Sequence, residues 1–161
     1  MEKDILEILE KDSRITAEDI AVMLGKPVEE VNACIKKMEE ERLICGYTIL
    51  ADWDKVEKEY VIAMIEVKVT PQRDAGYEAI AKRIYKFDEV KSVYLMSGAY
   101  DFMVLMEGKN IKEISHFISS KLSTLDSVTS TATHFVLKKY KDYGIVMDDD
   151  KLADERMIVS P

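Results

Sequence analysis

Positive charge is scarce in this chain of 161 residues, since 23 Lys and Arg stand against 31 Asp and Glu and leave a net charge of −8. Proteins that coat polyanions without sequence preference are normally basic, so this composition argues against that class. Long apolar runs are also missing, whereas a membrane-spanning helix needs about 20 apolar residues in succession. The acidic N-terminus, "MEKDILEILEKD", has no basic region followed by an apolar run, so we expect a cytoplasmic protein without a membrane partner.

Cysteine and histidine occur only twice each. Cys34 and Cys45 lack the paired spacing of a zinc site, and we expect reduced thiols. Neither His116 nor His134 has a Cys, Asp or Glu at ligand spacing, so both are interpreted as structural. No Ser–His–Asp arrangement is legible from the spacing, and the sequence therefore predicts no catalytic residue, no metal and no other cofactor.

The first 45 residues have the apolar spacing of helices. Thr16 is predicted to cap a second helix that ends at Gly25, with Asp19 approximating a capping box. Pro27 suits the first turn of a third helix, whose predicted buried stripe is Val31, Ile35 and Met38. These features predict a helix-turn-helix domain over residues 1–45.

The apolar period changes after Leu43, where β-branched residues become frequent. The patterns predict, in order, a strand at 60–70, a helix at 75–87, two strands within 90–108 joined by a tight turn at Gly98, a helix from Asn110 that buries Ile111, and a strand at 127–140. This βαββαβ order is that of the ferredoxin-like fold, so residues 60–141 are predicted to form the second domain of an α+β protein.

Both helices of such a unit pack on one face of the sheet and leave the other face uncovered. A second copy of the sheet is the economical cover, so a symmetric dimer is predicted. Between the domains, residues 46–59 are predicted to form a short linking strand at Tyr47–Leu50 and a charged connection. The acidic residues 142–161 are interpreted as a tail that is mobile or docks on a partner subunit.

Four motifs in this order resemble the Lrp/AsnC, or feast/famine, family of transcriptional regulators: "ITAEDIAVMLG", "IKKMEEERLICGYTILADW", "SGAYDFMV" and "STATHFVLKKYK". The resemblance covers nearly the whole chain. It implies an N-terminal winged helix-turn-helix and a C-terminal RAM (regulation of amino-acid metabolism) domain, which assembles into dimers and often into tetramers or octamers. It also implies double-stranded promoter DNA as a partner and an amino acid or related metabolite as an effector, bound where C-terminal domains meet.

The predicted recognition helix departs from the family's pattern, which places Ser or Thr after the turn and two arginines in mid-helix. Residues 1–45 hold seven Lys and Arg against twelve Asp and Glu, a net charge of −5. We predict that Asn32 reaches a base edge and that phosphates are contacted by Arg14, Lys26, Lys36 and Lys37. So few contacts predict weak, salt-sensitive binding by the helix-turn-helix domain of each subunit, which we call a head. Several heads acting together would offset this weakness. The alternative is a domain that has lost DNA binding.

The stretch "MSGAYDF" is the predicted effector-binding segment. Backbone N–H groups around Gly98 would receive an α-carboxylate, Asp101 would balance an α-ammonium, and Tyr100 lies between them. The resemblance adds the hydroxyls of Thr131 and Thr133 on the final strand. Alternatively, these loop residues serve only to form the turn.

The sequence therefore predicts a ligand-responsive transcriptional regulator and no enzyme activity. Two alternatives stay open. One is a metabolite-binding oligomeric module without DNA binding, and the other is an enzyme like the sirohaem decarboxylases, which share this two-domain layout. The acidic first half fits a lost DNA role, but a polycarboxylate substrate would need basic residues and histidines in the cleft.

Overall fold

The computed structural model describes residues 1–56, 58–70 and 76–147, and the chain divides into two compact units, Met1–Ala51 and Asp52–Pro161. The first unit contains three helices: α1 (Glu2–Lys11), α2 (Ala17–Leu24) and α3 (Val28–Glu40). In the described part of the chain, no helix is both long and apolar enough to cross a membrane.

The ends of α2 are fixed by the residues that the sequence indicated. Thr16 Oγ1 accepts a hydrogen bond from the Asp19 N–H at 3.1 Å and donates one to the Asp19 carboxylate at 2.7 Å. Gly25 ends the helix in the left-handed region, with φ of 62°, which favours glycine. Pro27 caps α3 from just outside its first turn rather than within it. The turn between α2 and α3 is therefore set by local chemistry.

A small apolar core holds the three helices together. Ile5 of α1, Ile20 of α2, and Val31 and Met38 of α3 have no solvent exposure. The predicted stripe of α3 is wrong in one place, because Cys34 is buried where Ile35 was expected and Ile35 is only half-buried. The buried residues of α3 are Val31, Cys34 and Met38, which are spaced three and four positions apart. Ile35 lies beside this buried stripe, at the edge of the core.

The second unit has the predicted ferredoxin-like topology. After a 3₁₀ turn (Trp53–Val56), its main elements are β1 (Val61–Val69), α4 (Gly76–Ile84), β2 (Val90–Leu95), β3 (Phe102–Gly108), α5 (Ile111–Phe117, continued by a wider turn at Ile118–Leu122) and β4 (Val128–Val136). The four strands are antiparallel in the order β2-β3-β1-β4. The α+β fold class is confirmed.

Alternation along β1 gives the sheet two different faces. Ala63, Ile65 and Val67 are fully buried in one core with residues of α4 and α5, including Ile84 and Ile114. The intervening side chains point to the opposite face. We call this the open face; the strand pairings place on it Met64, Glu66, Lys68, Tyr94, Met103, Leu105, Ala132 and His134.

Several sequence expectations about single segments are wrong. No strand forms at Tyr47–Leu50, because in the described chain no strand pairs with that segment. Ile111 is 54% exposed, because it begins α5 on the side away from the sheet. A hairpin of β5 (Lys141–Asp142) with β6 (Ile145–Val146) extends into the segment interpreted as a tail, residues 142–161. The acidic run from 148 to the end lies outside the described residues.

Candidate functional site

The solvent side of α3 is the candidate DNA-reading surface. Asn32 and Lys36 are both exposed and lie four residues apart, so they share one face of the helix. Glu29 and Glu40 lie on the same face at helical spacing. The surface therefore offers an amide for a base edge and an ammonium for phosphate, but with carboxylates at both ends.

Both lysines of α3 have acidic neighbours. The Nζ of Lys36 lies 3.9 Å from Glu40 Oε1. The Nζ of Lys37 lies 3.0 Å from Glu2 Oε1 on α1 and 3.9 Å from Glu41 Oε1. The pKa of Lys37 is raised, chiefly by its hydrogen bond to Glu2 and then by the charges of Glu2 and Glu41. To contact either lysine, a phosphate would have to displace these carboxylates or share the ammonium with them.

Arg14 and Lys26 flank α2, one in the connection before it and one in the connection after it. The N–H of Arg14 donates to Asp12 Oδ1 at 2.9 Å, which fixes the backbone of its turn. Both residues are exposed, and among the described residues neither has a carboxylate partner within the 4.0 Å that defines an ion pair. The first unit thus carries all five predicted DNA-binding residues, three on α3 and two on connections.

The predicted effector segment forms the connection between β2 and β3. The Met96 N–H donates to the Asp101 carbonyl at 2.8 Å, which closes a longer loop than the tight turn expected from the sequence. Gly98 in this loop has φ of 156°, which a residue with a side chain rarely adopts, and a Cβ placed there would meet no atom within 4 Å. The backbone at Gly98 is therefore accessible to a ligand, while Tyr100 is half-buried.

Asp101 connects this loop to two other elements. Its Oδ2 accepts a hydrogen bond from the Val69 N–H at 2.8 Å, and its N–H donates to the Val67 carbonyl at 3.0 Å. The regular β1–β3 pairing ends at Val67 and Phe102, and the carboxylate accepts the N–H of Val69 just beyond that end. Oδ1 accepts from the Tyr77 hydroxyl at 3.3 Å. An ionised carboxylate has about four acceptor sites, so these contacts leave room for an ammonium.

Thr131 and Thr133 share one face of β4. They pair with Val67 and Ile65 of β1, which places both hydroxyls on the side of the sheet that carries the helices. Both are half-buried, since β4 is at the edge of the sheet. Thr131 lies opposite Val67, the residue that accepts from Asp101, whereas Thr133 lies two residues further from the loop. Of the two, Thr131 is therefore nearer to Asp101.

Sequence reasoning missed Tyr77 as part of this region. It lies in the first turn of α4 and is 37% exposed. Its ring packs edge-on against Phe102 with centroids 5.9 Å apart, and the Asp101 charge raises the pKa of its hydroxyl. The available signal was a tyrosine in the first turn of a helix, whose hydroxyl usually finds a polar partner when it is partly covered.

Known protein families match both units. Residues 1–44 match the winged helix-turn-helix DNA-binding family, and residues 62–146 match the Lrp/AsnC ligand-binding domain. The chain belongs to the Lrp/AsnC family of helix-turn-helix transcriptional regulators.

Individual relatives extend over almost the whole chain. An uncharacterized helix-turn-helix regulator of Bacillus subtilis, YugG, is 53% identical across 99% of this chain and 96% of its own length. The proline dehydrogenase transcriptional activator of Rhizobium radiobacter is 26% identical across 88% of this chain and 90% of its own length. A crystal structure of the Neisseria meningitidis regulator NMB0573 with L-methionine superposes with a TM-score of 0.68 at 23% identity, over 88% of this chain and 90% of that one.

Proposed function

We propose that this protein binds promoter DNA through its first unit and that an amino acid or related metabolite, bound by its second unit, alters that binding. The observation that carries the proposal is the presence, in one chain, of a helix-turn-helix and an Lrp/AsnC ligand-binding domain. DNA as the partner implies that the protein acts in the cytoplasm. The named relatives are transcriptional regulators, which favours this role over an enzyme like the sirohaem decarboxylases.

The proposed DNA contacts are Asn32 to a base edge and Arg14, Lys26, Lys36 and Lys37 to phosphates. Exposure of Arg14, Lys26 and Asn32 supports this assignment. A carboxylate such as Glu29 about 4 Å from a phosphate would cost ~1 kcal/mol in water. Each head therefore binds weakly, and the assembled protein gains affinity by placing several heads on one DNA.

A titration of DNA from the protein's own promoter tests this proposal at two salt concentrations. Binding should collapse between about 50 and 200 mM salt, because each phosphate contact releases counterions and the weak binding at 50 mM leaves little affinity to lose. Lys26→Ala should weaken binding and flatten the salt dependence, whereas Lys82→Ala, an exposed lysine on α4, should not. Absence of binding at 50 mM with saturating protein would contradict the proposal.

The proposed effector site comprises Gly98, Tyr100 and Asp101 of the β2–β3 loop with Thr131 and Thr133 of β4. Accessible backbone at Gly98 suits a carboxylate, and the Asp101 carboxylate suits an ammonium, so the site fits a zwitterion. The NMB0573 structure, which contains L-methionine, supports an amino acid as the ligand class. Neighbouring subunits would complete the site if effectors bind between C-terminal domains.

A thermal-shift screen of amino acids and near relatives tests the site. A ligand at 100 times its Kd should stabilise the protein by about 2.7 kcal/mol. The shift should fall in Thr131→Val, which removes a hydroxyl at nearly constant volume. Thr48→Val makes the same change in the first unit and should keep the full shift. An unchanged shift in Thr131→Val, and again in Asp101→Ala, would place the site elsewhere.

A second candidate function is a metabolite-binding module that acts on a partner protein without DNA. The observation that favours it is the engagement of Lys36 and Lys37 by carboxylates in a unit of net negative charge. The two candidates give opposite results in the titration at 50 mM salt. Adding sirohaem and recording the visible spectrum tests the enzyme, because an unshifted Soret band would exclude tetrapyrrole binding.

A further inference from the structure

We propose that Glu2 restrains DNA binding by holding the ammonium of Lys37, so that α1 competes with phosphate for a cation of the recognition helix. The inference rests on the proposed DNA-binding function and adds to it a residue that sets affinity without reading DNA. It also assigns a role to part of the unusual negative charge in the first unit.

The pair joins two helices that share a core. Glu2 lies in the first turn of α1 and Lys37 in the last turn of α3, and their charged atoms are 3.0 Å apart. Ile5, three residues after Glu2, is fully buried in the same core as Val31 and Met38 of α3. Because the packed core fixes the two backbones, the carboxylate is held close to the ammonium.

Lys37 differs in this respect from its neighbour on α3. Among the described residues, Lys36 pairs within its own helix, with Glu40 at the longer distance of 3.9 Å. Lys37 has both the cross-helix carboxylate of Glu2 and the Glu41 carboxylate one turn later. The raised pKa of Lys37 agrees with this environment. Of the two lysines, Lys37 therefore loses more ion-pair interaction when its ammonium contacts a phosphate instead.

The pair is weak enough for DNA to break. Both side chains are about half exposed, 57% for Lys37 and 45% for Glu2, and exposed ion pairs shift equilibria by no more than about fivefold. In the wild-type protein the ion pair would thus stay formed at most DNA sites and break where a phosphate lies close to Lys37. Removing the carboxylate would let Lys37 contact phosphate also at the sites where the wild-type pair stays formed. This adds up to one phosphate contact per head and steepens the logarithmic salt dependence by up to about 0.9.

The test uses the full chain without an N-terminal tag and measures fluorescence anisotropy on a fragment of its own promoter between 50 and 200 mM salt. Glu2→Gln should bind about two- to fivefold more tightly than wild type, with the steeper salt dependence. Glu2→Asp keeps the charge but shortens the reach, so it should give a smaller gain. Glu7→Gln is the matched control, since Glu7 pairs with Lys3 within α1 at 3.5 Å.

A double-mutant cycle separates release of Lys37 from simple loss of negative charge. In a Lys37→Gln background, Glu2→Gln should lose its gain. A gain that persists there, or an equal gain from Glu7→Gln, would overturn the inference. If wild type binds and Glu2→Gln binds no better, only the inference fails. If neither protein binds at 50 mM salt, the proposed DNA-binding function fails and the inference with it.

Discussion

Asp101 shows how one side chain can hold a functional loop in place. Through backbone and carboxylate it contacts Val67 and Val69 of β1, and its other oxygen takes the Tyr77 hydroxyl of α4. The loop that carries Gly98 is therefore fixed to β1, an inner strand, and to α4 at the same time. At this scale the proposed effector site is a consequence of hydrogen bonds that the fold already makes.

Replacing Asp101 with Ala should destabilise the protein by about 1–3 kcal/mol, because the partly buried Val69 N–H loses a charged acceptor. Asp101→Asn keeps an acceptor oxygen and should cost much less. Urea unfolding measures both. Asp88→Ala removes an exposed carboxylate from the turn before β2 and should stay within about 0.5 kcal/mol of wild type. Equal stability of Asp101→Ala and Asp88→Ala would contradict the proposed anchoring.

Between elements, a mixed aromatic and ionic contact joins the end of α5 to the connection between α4 and β2. Lys121, in the turn that continues α5, pairs with Glu89, just before β2. Its ammonium also lies 5.7 Å from the ring centroids of both Phe87 and Phe117, which pack edge-to-face. This contact ties the end of one helix to the beginning of the edge strand.

The same contact predicts a pH dependence. The hydrogen bond from Lys121 lowers the pKa of Glu89 from its usual value of 4.5. A lowered pKa in the folded state contributes stability above the unfolded value, and this is lost as pH falls through the folded value. Urea midpoints should therefore fall below about pH 4.5 more steeply in wild type than in Glu89→Gln. Glu78→Gln, on α4, should retain the wild-type slope.

How far the sequence could predict these elements depends on the range of the forces involved. The cap at Thr16, the end of the helix at Gly25 and the strand β1 depend on local patterns, and all three were predicted correctly. Tyr47–Leu50 has residues suited to a strand, but a strand needs a partner, which local residues do not specify. The contacts Tyr77–Asp101 and Lys37–Glu2 join residues 24 and 35 positions apart, so no local pattern indicated them.

For the whole molecule, the open face of the sheet is the surface most in need of explanation. It carries Met64, 38% exposed, and Tyr94, 51% exposed, beside a hydrogen bond between Glu66 Oε1 and His134 Nε2 with atoms 3.2 Å apart. Apolar residues in the middle of a sheet and charged ones beside them are typical of an interface with a polar component. We propose that a second copy covers this face and forms the dimer.

Met64→Lys should convert the dimer into a monomer, because an unpaired ammonium would be buried between the two sheets. Ile111→Lys provides the matched control, since Ile111 is 54% exposed on the helix side and should leave the dimer intact. Light scattering after size-exclusion chromatography measures both masses. If the Met64→Lys protein is dimeric, the dimer interface lies on another surface. If the wild-type protein is monomeric, the proposed dimer does not form.

The alternation of β1 also bears on how such proteins diversify. Ile65 and Val67 are buried in the core of their own chain, whereas Met64, Glu66 and Lys68 lie on the open face, where they would contact a partner. The residues that select a partner subunit can therefore change during evolution at every second position of β1, while the residues between them preserve the fold. After gene duplication, a few such changes would suffice to keep sister proteins in separate complexes or to let them mix.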